Sequence, residues 1–126
     1  MRIIFADGHD NFRGVVSELL RDEGHEVHAV SLGGELATTA RRVEVDVIVS
    51  HVRFADLGAL EALEHLAASN VRVPTILMSG DVRSIPHADA ARLGVIGYLE
   101  KPFSMAELRV ALQAVARFRR IALVAS

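Results

Sequence analysis

Four polar side chains of different chemistry stand within two residues of the ends of short apolar runs of the sequence. They are Asp7, His51, Ser79 and Lys101. If the runs are parallel strands, their carboxyl ends meet at the sheet edge where open α/β proteins place their ligand sites. The carboxylate and the imidazole are potential metal ligands, and imidazole also titrates near neutral pH. A polar residue at one strand end is common because loops are polar, but four together favour a functional site.

Five apolar runs predict the strands that would position these groups. They cover residues 2–6, 26–30, 46–50, 74–78 and 95–99. Four are nearly continuous runs of Ile, Val, Leu, Phe or Met, which is typical of parallel strands covered on both faces. The second run alternates more, which suits an edge strand.

Segments with helical spacing separate and follow the strands. Asp10 or Asn11 is expected to cap the first helix, and Gly24 to end it. Ser104 and Glu107 form a capping-box pattern at the start of the fifth. Five alternations of strand and helix predict a doubly wound parallel α/β sheet of order 2-1-3-4-5 with five helices. We expect one domain over residues 1–120 and a C-terminal tail over residues 121–126.

Composition excludes several classes of protein. The 126 residues contain no cysteine, so disulfides and thiolate metal sites are excluded. A net charge of −2 gives no basic field for direct nucleic-acid binding. The apolar runs are far shorter than the roughly 18 residues of a membrane span, and no signal peptide is visible. We therefore expect a soluble cytoplasmic protein.

Two motifs make the pattern more specific. Ser79-Gly80 ends the fourth run, and residues 97–104 read GYLEKPFS. With the first strand and the turn at 23–27, they make the chain from Arg2 to about Phe118 resemble a response-regulator receiver domain of bacterial two-component signalling, which has the CheY-like fold.

The resemblance implies a role for each matching residue. In the family, an aspartate after strand three accepts a phosphoryl group from a phosphohistidine donor, and two acids after strand one help to hold Mg²⁺. Ser79 and Lys101 match the hydroxyl and the ammonium that bind the phosphoryl oxygens. Tyr98 matches the aromatic residue that reports the state of the site.

Two parts of that machinery are missing. Alignment of the third strand places His51 at the acceptor position, and Gly8 replaces the second acid. Asp7 alone remains as a vestigial metal ligand, so we expect weak or no Mg²⁺ binding, no other cofactor and no catalytic residues. Lys101 then needs a partner, and we expect it to pair with Asp7 directly or through water.

His51 has three interpretations. It can fill space and hydrogen-bond Asp7 or a loop backbone, which is the simplest. It can act as a pH-sensitive switch. It can also be phosphorylated, or bind Zn²⁺ or a similar ion together with Asp7 and His9.

The leading functional hypothesis is a degenerate receiver that acts as a protein-interaction module and not as an enzyme. The resemblance implies a docking face built from helix four, strand five and helix five, with a histidine kinase or another regulator as partner and with a homodimer as an option. Contributors to this face would be Arg92, Tyr98, Arg109 and Arg117. A basic cluster of Arg117, Arg119 and Arg120 could bind an acidic partner.

Two rivals remain from other classes. One is an active phosphotransfer protein that uses His51, Asp56 or Ser50 as an alternative acceptor. The other is a small flavin-binding enzyme of the same topology. The loop at residues 7–11 is acidic and lacks the Ser/Thr/Gly-rich phosphate cradle of such a protein, which disfavours the second rival.

Overall fold

The computed structural model describes the backbone of residues 1–125 and the side chains of residues 1–119. The five strands are β1 Arg2–Ala6, β2 Glu26–Val30, β3 Val47–His51, β4 Thr75–Ser79 and β5 Val95–Glu100. The helices are α1 Asp10–Asp22, α2 Gly33–Arg42, α3 Ala59–Ala68, α4 His87–Arg92 and α5 Met105–Ala125, with a short 3₁₀ helix at Val82–Ser84.

The sheet is parallel, with the order β2-β1-β3-β4-β5, so the predicted fold class and strand order are confirmed. β1 and β2 have the predicted bounds. β3, β4 and β5 each end one residue later than predicted, because His51 pairs with Met78, and Ser79 with Glu100. His51 and Ser79 are therefore the last residues of their strands and not loop residues.

Two apolar layers cover the sheet, one on each face. Alternate residues of β1 point to opposite sides: Ile3 and Phe5 belong to the layer under α1 and α5, whereas Ile4 belongs to the layer under α2, α3 and α4. All three side chains are fully buried. Burial on both faces explains why the strands read as continuous apolar runs.

The helix ends agree with the sequence in two cases and differ in one. Gly24 follows α1 with a φ of +94°, and Ser104 and Glu107 form the expected reciprocal hydrogen bonds ahead of α5. The predicted cap of α1 is wrong, because His9 occupies the N-cap position and its Nδ1 accepts the Phe12 amide at 3.3 Å. Asp10 lies inside the first turn of the helix, where negative charge is favourable.

Helix α5 continues without a break through the backbone of residues 121–125. The side chains from Arg120 onward lie outside the described residues, so the domain boundary at residue 120 stays a prediction. Within the part of the chain that the structure describes, no helix has the length and apolarity that a bilayer crossing requires.

Candidate functional site

Asp7 and Lys101 form a direct ion pair at the carboxyl edge of the sheet. Nζ of Lys101 lies 2.7 Å from Oδ2 of Asp7. The other carboxylate oxygen accepts the His9 amide at 2.8 Å, and the Asp7 side chain is almost fully buried. The expectation that these two charges pair is confirmed. The pair fills the two positions at which the family binds metal and phosphoryl oxygens.

An aromatic cluster completes the surroundings of Lys101. Its ammonium lies 4.3 Å from the ring centroid of Phe12, which packs in turn against Phe5 and Phe103. A cation over an aromatic face is stabilised by the ring quadrupole. Phe12 was not predicted as a site residue, because helical spacing placed it on the apolar face of α1. The sequence signal for its contact with the site was its position in the first turn of the helix that follows Asp7.

His51 binds the backbone of the loop that follows β3. Its Nδ1 lies 3.0 Å from the carbonyl oxygen and 3.3 Å from the amide nitrogen of Arg53, and its tautomer decides which of the two it contacts. This agrees with the simplest interpretation of His51, which is a space-filling side chain that forms a hydrogen bond. The hydrogen-bond partner is the loop backbone and not Asp7.

The proposed mixed metal site is wrong. The His9 ring caps α1, the His51 ring binds Arg53, and the described residues contain no group of three His, Asp or Glu side chains placed to hold a metal ion. Asp7, His9 and His51 are therefore not arranged as a zinc site in this structure.

The strand ends also do not fit Mg²⁺. Both oxygens of Asp7 already accept hydrogen bonds, Gly8 carries no donor group, and His51 offers ring nitrogen where the family has a carboxylate. Mg²⁺ requires an octahedral shell made mostly of hard oxygen ligands. The residues present do not supply that shell.

Ser79 and His51 line an open cleft of about 640 Å³, and neither Asp7 nor Lys101 is among its lining residues. The cleft is also lined by Arg53 and Asp81, and the Ser79 hydroxyl accepts the Asp81 amide at 3.1 Å. The four predicted site residues thus form two groups. Asp7 and Lys101 neutralise each other, whereas His51 and Ser79 face the cleft.

The two other candidate acceptors are already engaged. Ser50 is fully buried, and its hydroxyl donates to the His51 carbonyl at 2.8 Å. Asp56 accepts the amides of Gly33, Gly34 and Leu57 at 2.8–2.9 Å. These amides, with that of Gly34 foremost, hold the pKa of Asp56 below its ordinary value.

Tyr98 is half-buried on β5 and stacks on His87 at the start of α4. The two rings lie 4.4 Å apart with an interplanar angle of 16°. Nε2 of His87 lies 2.8 Å from the Val82 carbonyl oxygen, and burial raises the pKa of Tyr98. His87 was not predicted as a site residue, and nothing in the local sequence indicated this stack.

The arginines assigned to the docking face have partners inside the chain. Arg92 pairs with Glu64 of α3, and Arg109 pairs with Glu23 at the end of α1. Both guanidinium groups link separate elements of the chain and remain about half exposed, so their contribution to a docking face stays a prediction.

The three arginines of the basic cluster near the end of α5 differ in their surroundings. Arg119 pairs with the buried Asp46 ahead of β3. Arg117 is exposed on α5, and the side chain of Arg120 lies outside the described residues.

The face of β5 and α5 also presents an apolar groove. A depression of about 420 Å³ is lined by Tyr98, Leu99, Ala106, Val110 and Ala111, with Glu107 at its edge. The Val110 side chain is 62% exposed, although its neighbours on the inner side of α5 are buried. This groove was not predicted from the sequence, because the apolar residues of an amphipathic helix are expected on its buried side.

Comparisons with known proteins agree with the geometry. A family model described as the response regulator receiver domain matches residues 3–113. The regulatory protein AtoC of Escherichia coli is 28% identical over 112 residues, which cover 89% of this chain and 24% of AtoC. The transcriptional regulatory protein PdtaR of Mycobacterium tuberculosis is 29% identical over 122 residues, which cover 95% of this chain and 59% of PdtaR. The chain thus spans about half or less of several curated relatives.

Solved structures show the same fold. The chemotaxis response regulator CheY4 of Vibrio cholerae has a TM-score of 0.81 at 25% identity, over 90% of this chain and 97% of that one. The receiver domain of the sensor histidine kinase PA1611 of Pseudomonas aeruginosa has a TM-score of 0.79 at 27% identity, over 90% and 94% of the two chains. In that structure a magnesium ion is coordinated in the active-site cleft.

Proposed function

The chain belongs to the response regulator receiver family, and from that premise we propose that it works in two-component signalling as a protein-interaction module whose binding does not depend on phosphorylation. The proposal includes a cytoplasmic location and no catalytic turnover. The single observation that carries it is the imidazole of His51 at the end of β3, where the family has its acceptor aspartate.

The Asp7–Lys101 pair supports the proposal through its charge. Phosphoryl transfer in proteins depends on positioning and on stabilisation of negative charge. In this chain the ammonium that would stabilise that charge is bound to a buried carboxylate at 2.7 Å. An incoming phosphoryl group would have to compete with Asp7 for Lys101, and breaking a buried ion pair is costly.

We also propose that Mg²⁺ binds weakly or not at all. The related PA1611 domain binds Mg²⁺ in its cleft, but here Gly8 and His51 stand where oxygen donors would be needed. Isothermal titration with MgCl₂ tests this directly. Heat of binding with a dissociation constant below the millimolar range would contradict it.

The apolar groove of β5 and α5 is the proposed contact for a protein partner. Tyr98 and Val110 supply exposed apolar area, while Arg92 and Arg109 are bound to Glu64 and Glu23. Interfaces draw most of their binding energy from a few apolar and aromatic residues near the centre of the contact. A histidine kinase, another regulator or a second copy of the chain would dock there.

Incubation with acetyl phosphate and Mg²⁺, followed by intact mass measurement with and without acid quench, tests the proposal. We expect no phosphoryl adduct on the natural chain. The matched control is the double variant G8D/H51D, which restores both missing acids. An added Cβ at Gly8 would lie 3.7 Å from the Ser31 carbonyl oxygen, so the new side chain has room. We expect this variant to gain an acyl phosphate.

The rival of an active receiver makes the opposite prediction. Among its three candidate acceptors the cleft favours His51, because Ser50 is buried and Asp56 is bound by three amides. An adduct on the natural chain that disappears in H51Q and persists in D56N would establish that rival and overturn the proposed function.

A further inference from the structure

Helix α2 begins without a cap from its own strand-to-helix turn. Leu32 occupies the N-cap position and makes no side-chain hydrogen bond to the helix. The first amides of a helix have no acceptor within the helix. In this chain the Asp56 carboxylate supplies it from another loop: Oδ1 accepts the Gly33 amide and Oδ2 the Gly34 amide, both at 2.9 Å.

The start of α2 and the loop at residues 56–57 approach so closely that a side chain at Gly33 or Gly34 would clash with the loop. A Cβ at Gly33 would lie 2.6 Å from the Leu57 carbonyl oxygen, and one at Gly34 would lie 3.0 Å from Oδ2 of Asp56. In proteins a Cβ atom essentially never lies as close as 2.6 Å to a backbone atom of another residue. The glycine pair that opens α2 therefore makes the contact with Asp56 sterically possible.

The loop that carries Asp56 is bound to the functional site at its other end. Arg53 contacts the His51 ring through its backbone, and the Val52 amide donates to the Met78 carbonyl at 3.2 Å. The Val52 carbonyl accepts the Ala59 amide at 2.9 Å. Residues 52–58 are thus attached to His51 at one end and to α2 at Asp56.

We propose that Asp56 is a latch that fixes residues 52–58 against the start of α2, so that the loop beside His51 keeps one conformation without any ligand or phosphoryl group. A carboxylate at a helix N-terminus is stabilised by the helix dipole as well as by its hydrogen bonds. The inference deepens the proposed function, since it gives a phosphorylation-independent module its fixed shape. Its test involves no phosphodonor, so the latch and the proposed function can fail separately.

Amide hydrogen exchange of the natural chain, followed by NMR, is the first test. Gly34 and Leu60 both occupy the second position of a helix whose N-cap residue makes no side-chain hydrogen bond to it. The latch gives the Gly34 amide an acceptor, and the described contacts give none to the Leu60 amide. We expect a protection factor about tenfold higher for Gly34 than for Leu60. Equal protection would overturn the latch.

Limited trypsin digestion of two variants is the second test. Asp56→Ala removes the latch, while Asp81→Ala removes a comparable exposed carboxylate that accepts the Arg83 amide within its own turn. We expect D56A to raise cleavage after Arg53 about tenfold and to leave cleavage after Arg83 unchanged. D81A should leave cleavage after Arg53 unchanged. Unchanged cleavage after Arg53 in D56A, or an equal rise at both arginines, would reject the latch. The exchange measurement decides the question if D56A does not fold.

Discussion

Nζ of Lys101 lies 2.7 Å from Oδ2 of Asp7, across the part of the site where the family binds metal and phosphoryl oxygens. Lys101 is the single lysine of the chain, against thirteen arginines. A compact ammonium fits between the Asp7 carboxylate and the Phe12 ring. The guanidinium of arginine is a planar fork of donors and is not interchangeable with it. The pair therefore neutralises a carboxylate that is almost fully buried.

The coupling of Asp7 and Lys101 is measurable by a double-mutant cycle. We expect K101M to lower the free energy of unfolding by about 2 kcal/mol, because it leaves a buried carboxylate without its cation. D7N/K101M should lose less than the sum of the single variants, with a coupling of about 1–2 kcal/mol in urea denaturation. The surface pair Arg109–Glu23 is the control, and R109M should cost at most about 1 kcal/mol. Strict additivity of D7N and K101M would contradict the prediction.

The stability of the fold should fall in acid because of Asp46. Burial opposes ionisation of this carboxyl, but the Arg2 amide and the charges of Arg119 and Arg2 outweigh it and hold its pKa below 3.8. A carboxyl with a lower pKa in the folded state stabilises the fold above pH 3.8, and this contribution is lost as the pH falls through the folded pKa. Asp56 acts in the same direction.

Denaturation between pH 2 and pH 7 measures this dependence. We expect the free energy of unfolding to decrease below about pH 4, and D46N to show a shallower decrease than the natural chain. NMR of the side-chain carboxyl should show that R119M raises the pKa of Asp46. A pKa of Asp46 that does not change in R119M would refute the role of Arg119.

Two glycines in helices should respond oppositely to alanine. Gly14 lies on the exposed side of α1, where an added Cβ meets nothing within 4 Å, so G14A should stabilise the fold by about 0.5–1 kcal/mol. Gly33 touches the Leu57 backbone, so G33A should destabilise it by about 1–3 kcal/mol. Thermal unfolding distinguishes the two, and stabilisation by G33A would show that the loop at Leu57 can move away at little cost.

Replacing either of two buried serines by alanine should change the stability of the fold in opposite directions. The Ser17 hydroxyl is buried in α1 without a hydrogen-bond partner among the described residues, whereas the buried Ser50 hydroxyl donates to the His51 carbonyl. Removing an unsatisfied hydroxyl is favourable, so S17A should gain about 1 kcal/mol of stability. S50A should lose about 1 kcal/mol. Loss of stability in S17A would indicate a partner for that hydroxyl, such as a buried water.

The architecture of this protein was predictable from the amino-acid sequence alone. Strands were predicted to within one residue and in the correct order, because apolar runs record burial on both faces and parallel connections restrict the topology. Gly24 and the Ser104–Glu107 box were also readable, since each acts within a few residues of itself. The Asp7–Lys101 pair was predicted from charge, because these were the two opposite charges among the polar groups expected at the carboxyl edge of the sheet.

Only the tertiary structure decided which partner each remaining polar group takes. Asp56 caps a helix that begins 23 residues earlier, and Arg92 pairs with a glutamate 28 residues away. The cap of α1 is an exception that is decided locally, since the Asp7 carboxylate binds the His9 amide and His9 is the last residue before the helix. A local pattern records whether a side chain is polar or apolar, but its partner depends on distances that exist only after the helices have packed on the sheet.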